Sequence, residues 1–122
     1  MKIFGHHWID SEPFYSVKSQ EDIRETPANS IVLLPTLPSS LDLAKYCQKN
    51  SVAYAIKVEN IKDAIFANLL GAKYTLSSKK LARELMPIAQ NYLFDTQVLA
   101  EIESDSEIEE MAKVNVDGVV LK

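Results

Sequence analysis

A single lysine, Lys57, offers the clearest opportunity for covalent chemistry in this chain. It follows an apolar run, and in a β-strand Ala53 and Ala55 would share its face. A lysine at the carboxyl end of a parallel strand lies where α/β active sites form, and desolvation there favours the neutral amine that a Schiff-base nucleophile requires. The simpler alternative is a lysine that marks the end of the strand and reaches water past two small alanines.

Two carboxylates, Glu101 and Glu103, alternate with Ala100 and Ile102, so both should point to one face of a strand. A carboxylate on an otherwise apolar strand is costly to bury unless it is paired or hydrated. The two could pair with Lys57, act as a general acid/base couple, or hold a divalent cation. Alternatively, the strand ends at Ala100 and both acids are solvated.

The segment Ser77-Ser78-Lys79-Lys80 is the best candidate for binding an anion, because it lies at a predicted strand end and helix start. The first N–H groups of a helix attract an anion even where no glycines are present. Alternatively, Ser77 or Ser78 simply caps the helix and both lysines are solvated.

The adjacent histidines His6 and His7 raise the question of a metal site. Neighbouring side chains on a regular strand point to opposite faces, although a loop would allow both to reach one metal. The chain has no other histidine and one cysteine, Cys47, so a zinc site would lack ligands, and a histidine-based triad would require this arm to fold over the sheet. With three glycines and no glycine-rich phosphate loop, the sequence predicts no metal and no cofactor.

The elements that must position these side chains repeat along the chain. Apolar, strand-like runs begin near residues 31, 53, 73, 97 and 118, and amphipathic stretches lie between them. A spacing of about 20 to 24 residues is what strand–helix–strand units with parallel strands require. A short strand near Phe14 would add a sixth. The pattern predicts a single α/β domain over residues 1–122, with five to six mostly parallel strands alternating with helices.

Local signals place the ends of several helices. Ser19 is a predicted N-cap, and Asn50 suits the left-handed position after the second helix. Pro87 is expected to kink or split a long helix. Ser106 and Glu109 have the spacing of a capping box.

Two helices carry apolar stripes that should face the sheet. In the third helix the stripe comprises Ile61, Ile65 and Leu69, and in the fourth it comprises Leu81, Leu85, Ile88 and Tyr92.

An open three-layer sheet and a half-barrel both fit this repeat. Six strands are too few for an eight-stranded barrel, and a half-barrel would expose two long edges and one apolar face. The open sheet is therefore favoured. Both forms invite self-association, so a homodimer is expected, and an N-terminal arm of residues 1–13 carrying Trp8 could pack on the domain or on a second subunit.

Composition narrows the class of protein. The formal net charge of −4 argues against nucleic acid, whose binding depends on neutralising phosphates. A single cysteine excludes an internal disulfide and suits a reducing cytoplasm. No apolar run approaches the ~20 residues needed to span a membrane. We therefore expect a soluble, cytoplasmic protein that binds neither nucleic acid nor membrane.

Part of the chain resembles a known family. Residues 44–58 (AKYCQKNSVAYAIKV) and 70–76 (LGAKYTL) resemble βα units of (β/α)8 barrels of the keto-deoxy-phosphogluconate aldolase type, and 116–121 (VDGVVL) resembles strand starts of many phosphate-binding barrels. The resemblance involves about half of the chain. It implies a Schiff-base lysine on a strand, which Lys57 could match. It also implies a glycine-rich phosphate site after a later strand, to which nothing in this chain corresponds.

Three functions follow from these observations. The favoured one is a non-catalytic domain that acts through self-association or a protein partner. The second is a Schiff-base lyase or aldolase-like enzyme that uses Lys57 with Glu101 or Glu103. The third is a binder of a small anionic ligand at Ser77 to Lys80.

Overall fold

Seven parallel strands form one sheet in the computed structural model, which describes residues 1–122. The strands are β1 (Lys2–Phe4), β2 (Phe14–Ser16), β3 (Ile31–Leu34), β4 (Tyr54–Lys57), β5 (Tyr74–Ser77), β6 (Gln97–Ile102) and β7 (Gly118–Leu121). The helices are α1 (Gln20–Glu25), α2 (Leu41–Lys49), α3 (Ile61–Leu69), α4 (Lys79–Asn91) and α5 (Ile108–Lys113), with a 3-10 turn at Asp105–Glu107. The order across the sheet is β1-β7-β6-β5-β4-β3-β2, so β1 and β2 are its edges.

The sheet curls until side chains from its two edge strands meet. The rings of Phe4 on β1 and Phe14 on β2 have centroids 5.0 Å apart, although no backbone ladder joins these strands. Tyr74, on the central strand β5, reaches across the interior. Its ring centroid lies 5.5 Å from that of Phe4 and 6.4 Å from that of Phe14. Aromatic side chains from opposite walls therefore fill the interior.

Two buried clusters show which face of each strand points inward. The inner cluster contains strand residues alone: Phe4, Ile31, Ala55, Tyr74, Leu76 and Leu99. The larger outer cluster joins the opposite faces of the strands to buried side chains from every helix, such as Ile23, Ala44, Ala67, Leu85 and Met111. All five helices thus cover the outside of the curled sheet. No helix is long and apolar enough to cross a membrane.

The α/β class with parallel strands is confirmed, but two details of the prediction are corrected. The sheet has seven strands rather than five to six, because Lys2–Phe4 forms a short strand on β7 instead of part of an arm. The sheet is also a curled half-barrel, not the open three-layer form that the edge argument favoured. With every helix on one face, the other face is buried by curling on itself.

Some helices begin or end at the predicted residue, and others begin or end at a different residue. The Ser19 hydroxyl accepts the N–H of Asp22 at 3.1 Å, as an N-cap should. The left-handed residue after α2 is Ser51, with φ of 56°, and not Asn50. Helix α4 runs as a single element through Pro87, so the predicted split does not occur.

The capping carboxylate before α5 is Glu107 rather than Glu109. One Glu107 oxygen accepts the N–H groups of Glu103 at 2.7 Å and Ser104 at 2.9 Å. The capping interaction lies two residues earlier than predicted because a 3-10 turn precedes the α-helix.

Helix α3 turns its predicted apolar stripe partly toward solvent. Its buried face consists of Ala64 and Ala67, while Ile65 is 39%, Phe66 51% and Leu69 69% exposed. Both alanines lie in the outer cluster, and the backbone of α3 comes close to that of α4. Three large apolar side chains are left on the outer surface.

In the first turns of helix α4, the buried residues include those of the predicted apolar stripe. Leu81 and Leu85 are buried, but Ala89 continues the buried face where Tyr92 was expected. Tyr92 is the C-cap of the helix and is 75% exposed.

The predicted N-terminal arm is mainly the connection between β1 and β2, and it contains no helix. Gly5, with φ of 84°, begins the connection, and its N–H donates to the Ser11 hydroxyl at 3.3 Å. Phe14, the first residue of β2, packs against the inner cluster. Trp8 remains 79% exposed.

Candidate functional site at the carboxyl end of the sheet

The carboxyl ends of all seven parallel strands meet at one end of the curled sheet, which we call the mouth. Sites in barrels of parallel strands form at this end. Side chains alternate along a strand, so the residue two places after an inward-pointing one again points inward. This rule places Lys57 above Ala55, and Glu101 above Leu99, at the mouth.

Lys57 is the last residue of β4 and is exposed. It lies in a small pocket of about 170 Å³ whose lining includes Ser16, Lys18, Leu33 and Pro35. No carboxylate lines this pocket. Lys57 also forms no ion pair with Glu101 or Glu103, the pairing considered from the sequence.

Glu101 is partnered by a residue that the sequence did not indicate. Its carboxylate lies 2.6 Å from the ammonium of Lys122, directly beyond β7. This hydrogen bond raises the pKa of Lys122. The contact follows from the register, which sets Glu101 opposite Val120 and so brings Lys122 to the same end of the sheet.

A second, polar pocket of about 420 Å³ occupies the β5–β7 side of the mouth. Its lining is entirely polar and comprises Ser78, Lys79, Glu101, Glu103, Glu107 and Lys122. We call it the acidic pocket. The structure thus brings together one part of the predicted anion site and both predicted carboxylates. Lys57 lies in the other pocket, because β5 separates β4 from β6.

Within the acidic pocket, Lys79 is held by acids and is not free for an anion. Its ammonium lies 2.6 Å from the carboxylate of Glu107 and 3.4 Å from that of Glu110. The hydrogen bond to Glu107 raises the pKa of Lys79. The same hydrogen bond, together with the N–H groups of Ser104 and Glu103, lowers the pKa of Glu107 to about 2. This ion pair joins the start of α4 to the turn before α5.

The other members of the predicted anion segment have separate positions. The Ser78 hydroxyl accepts the N–H of Leu81 at 3.2 Å, so Ser78 caps α4. Ser77 is buried on the outer side of β5, and its hydroxyl has no hydrogen-bond partner. Lys80 is exposed and lines neither pocket at the mouth.

His6 has a structural role in the connection after β1. It is 7% exposed, and its Nδ1 atom accepts the N–H of Trp8 at 3.1 Å. Its Nε2 atom lies 3.2 Å from a carboxylate oxygen of Asp105. An accepting Nδ1 leaves Nε2 as the N–H donor to Asp105, so both ring nitrogens are engaged. His7 stacks on His6 at 4.7 Å. No cluster of potential metal ligands occurs in the structure.

Cys47 is a buried core residue of α2. Burial raises the pKa of its thiol to about 11, so the thiolate needed for nucleophilic attack is scarce near neutral pH.

Three residues of the mouth were missed from the sequence: Lys18, Glu107 and Lys122. Lys18 and Lys122 follow the ends of β2 and β7, and their positions could have been found from the strand ends alone. Their neighbours across the mouth depend on strand order, which the sequence pattern does not contain.

No protein-family model and no curated protein matches this chain. The resemblance to aldolase-type barrels accordingly remains a prediction, and the function is proposed from the geometry.

Proposed function

We propose that this chain is a non-catalytic interaction domain that forms a homodimer through the outer face of α3. The observation that carries the proposal is the distribution of residues on that helix: small alanines face the sheet, and Ile65, Phe66 and Leu69 face outward. A surface helix normally buries its large apolar residues and exposes polar ones. The reverse arrangement favours a second protein surface over α3.

An apolar groove beside α3 extends this surface. It has a volume of about 500 Å³ and lies between α2 and α3, lined by Leu37, Pro38, Leu41, Lys45, Lys62, Asp63, Phe66 and Leu70. Phe66 stands at the groove and is 51% exposed. An aromatic side chain next to an apolar groove can insert into the same groove of a second copy, which is the usual form of an interface anchor.

The charges around the groove favour a second copy of this chain as the partner. Two lysines, Lys45 and Lys62, and one acid, Asp63, line the groove and form its charged rim. In a two-fold dimer the same patch occurs on both subunits, so a lysine of one copy can face an aspartate of the other. A rim with both charges is therefore complementary to itself.

The reason for expecting a dimer has changed with the structure. The sequence-based expectation was that an open sheet and a half-barrel both invite self-association, but curling brings side chains of the edge strands β1 and β2 together. The α3 surface replaces those edges as the basis for self-association. A single buried cysteine accords with the proposed cytoplasmic location.

Sedimentation velocity across a range of protein concentrations tests the proposal. The wild-type protein should be a dimer, and Phe66→Asp should convert it to a folded monomer, because a charge replaces the apolar anchor. Leu93→Asp is the matched control, since Leu93 is 84% exposed but lies beyond α4. A wild-type monomer at every concentration, or a dimer that persists in Phe66→Asp, would contradict the proposal.

A further inference from the structure

We propose that the pocket around Lys18 and Lys57 binds the carboxylate or phosphate group of a small molecule. The pocket lies at the mouth, on the side formed by β2, β3 and β4, and is distinct from both the α3 surface and the acidic pocket. The proposal is therefore independent of self-association.

The first observation that supports anion binding is the presence of two lysines without an ion-pair partner. Elsewhere at the mouth, Lys79 and Lys122 are each held by a glutamate within 2.6 Å. Lys18 and Lys57 line one pocket and make no ion pair. The nearby Asp22 carboxylate accepts the backbone N–H of Lys18 at 3.0 Å, and Asp22 is not part of the lining.

The donors in this pocket are suited to an oxyanion. Each ammonium group carries three N–H donors and no acceptor, and the hydroxyl of Ser16 supplies another donor. Leu33 and Pro35 complete the lining and supply apolar contact for the carbon atoms of an organic anion.

The volume of the pocket limits the size of the ligand that it can hold. Its volume of about 170 Å³ is below the roughly 300–1,000 Å³ typical of sites for larger ligands. A phosphate, or a carboxylic acid of a few carbons, is the class of ligand that fits.

Backbone amide NMR titrations with inorganic phosphate and with succinate, at constant ionic strength, test this inference. Either anion should give saturable shifts at residues 16–18 and 57, and the anion that binds more tightly identifies the preferred headgroup. Lys18→Gln and Lys57→Gln should each weaken binding by about tenfold, as expected for loss of one charge-assisted hydrogen bond. Both lysines are exposed, so these variants should fold.

Lys49→Gln is the matched control, because Lys49 is an exposed lysine at the far end of α2. It should leave both affinities unchanged. Absence of saturable shifts with either anion would overturn the inference. So would equal weakening by Lys49→Gln, which would indicate non-specific charge attraction, or shifts confined to residues 77–80, which would place the anion at the start of α4.

Discussion

The ammonium of Lys2 donates a hydrogen bond to the hydroxyl of Tyr74 at 2.9 Å. Lys2 begins the edge strand β1 and Tyr74 begins the central strand β5, so this contact spans the interior of the curled sheet. The hydrogen bond raises the pKa of Lys2. Together with the packing of the Tyr74 ring against Phe4 and Phe14, it links an edge of the sheet to its centre.

Replacing Tyr74 by Phe should therefore destabilise the fold without removing the aromatic packing. We expect the free energy of unfolding to fall by about 0.5–1.5 kcal/mol, the range for a typical intramolecular hydrogen bond, because the Lys2 donor is exposed to solvent. Urea denaturation of wild type and variant measures the difference. Tyr92→Phe is the control and should change stability by less than about 0.5 kcal/mol, since Tyr92 is exposed. Equal effects of the two variants would show that the Lys2 contact is not stabilising.

The small residues under α3 should be intolerant of enlargement. Ala67 is fully buried, so Ala67→Leu should overpack the contact between helix and sheet and cost about 1–3 kcal/mol. Leu69→Ala removes a larger side chain from the outer face and should change the stability of the monomer by less than about 0.5 kcal/mol. Thermal unfolding in the Phe66→Asp background, where we expect a monomer, compares them. A greater loss from Leu69→Ala would mean that the buried face of α3 has been assigned incorrectly.

The ion pair between Lys79 and Glu107 should make stability depend on acid pH. The folded-state pKa of Glu107 is about 2, below its ordinary value of 4.5. A lowered pKa means that the ionised carboxylate stabilises the folded state above about pH 4.5, and that this contribution is lost as the pH falls toward 2.

Glu107→Gln should consequently be less stable than wild type at pH 7, and the difference should shrink between pH 4.5 and 2. Thermal unfolding monitored by circular dichroism over this range measures it. Glu109→Gln is the control on the same segment, because Glu109 is exposed and forms no ion pair. A difference between Glu107→Gln and wild type that does not vary with pH would show that ionisation of Glu107 is not its source.

Borohydride trapping with dihydroxyacetone, a carbonyl compound without the anionic group that the pocket of Lys18 and Lys57 would attract, distinguishes the interaction domain from the aldolase-like alternative. The pocket of Lys57 contains no carboxylate to move protons, and Glu101 is bound to Lys122. We therefore expect Lys57 to be modified no faster than the exposed Lys49, as measured by peptide mass spectrometry. Selective modification of Lys57, abolished in Lys57→Ala, would favour Schiff-base chemistry over the proposed function.

The sequence by itself determined the parallel α/β repeat and the positions of most elements. These features are local: strand runs such as Ile31–Leu34 are apolar and bounded by turns, and Ser19 and Ser78 cap the helices that follow them. Alternation within a strand also placed Lys57 on the face of Ala55, and Glu101 on the face of Glu103, but did not show which of these faces points inward. Lys2–Phe4 was assigned to the N-terminal arm, because its pairing with β7 depends on residues at the other end of the chain.

Only the tertiary structure decided what these side chains meet. The register of β6 and β7 gave Glu101 the partner Lys122, and the packing of α4 near α5 gave Lys79 the partner Glu107. An apolar stripe also cannot show which way it faces when small residues such as Ala64 and Ala67 form the buried face of the helix instead. Strand order, curling and helix rotation depend on contacts between residues far apart in the chain. The periodic pattern of apolar residues does not show which of these residues are in contact.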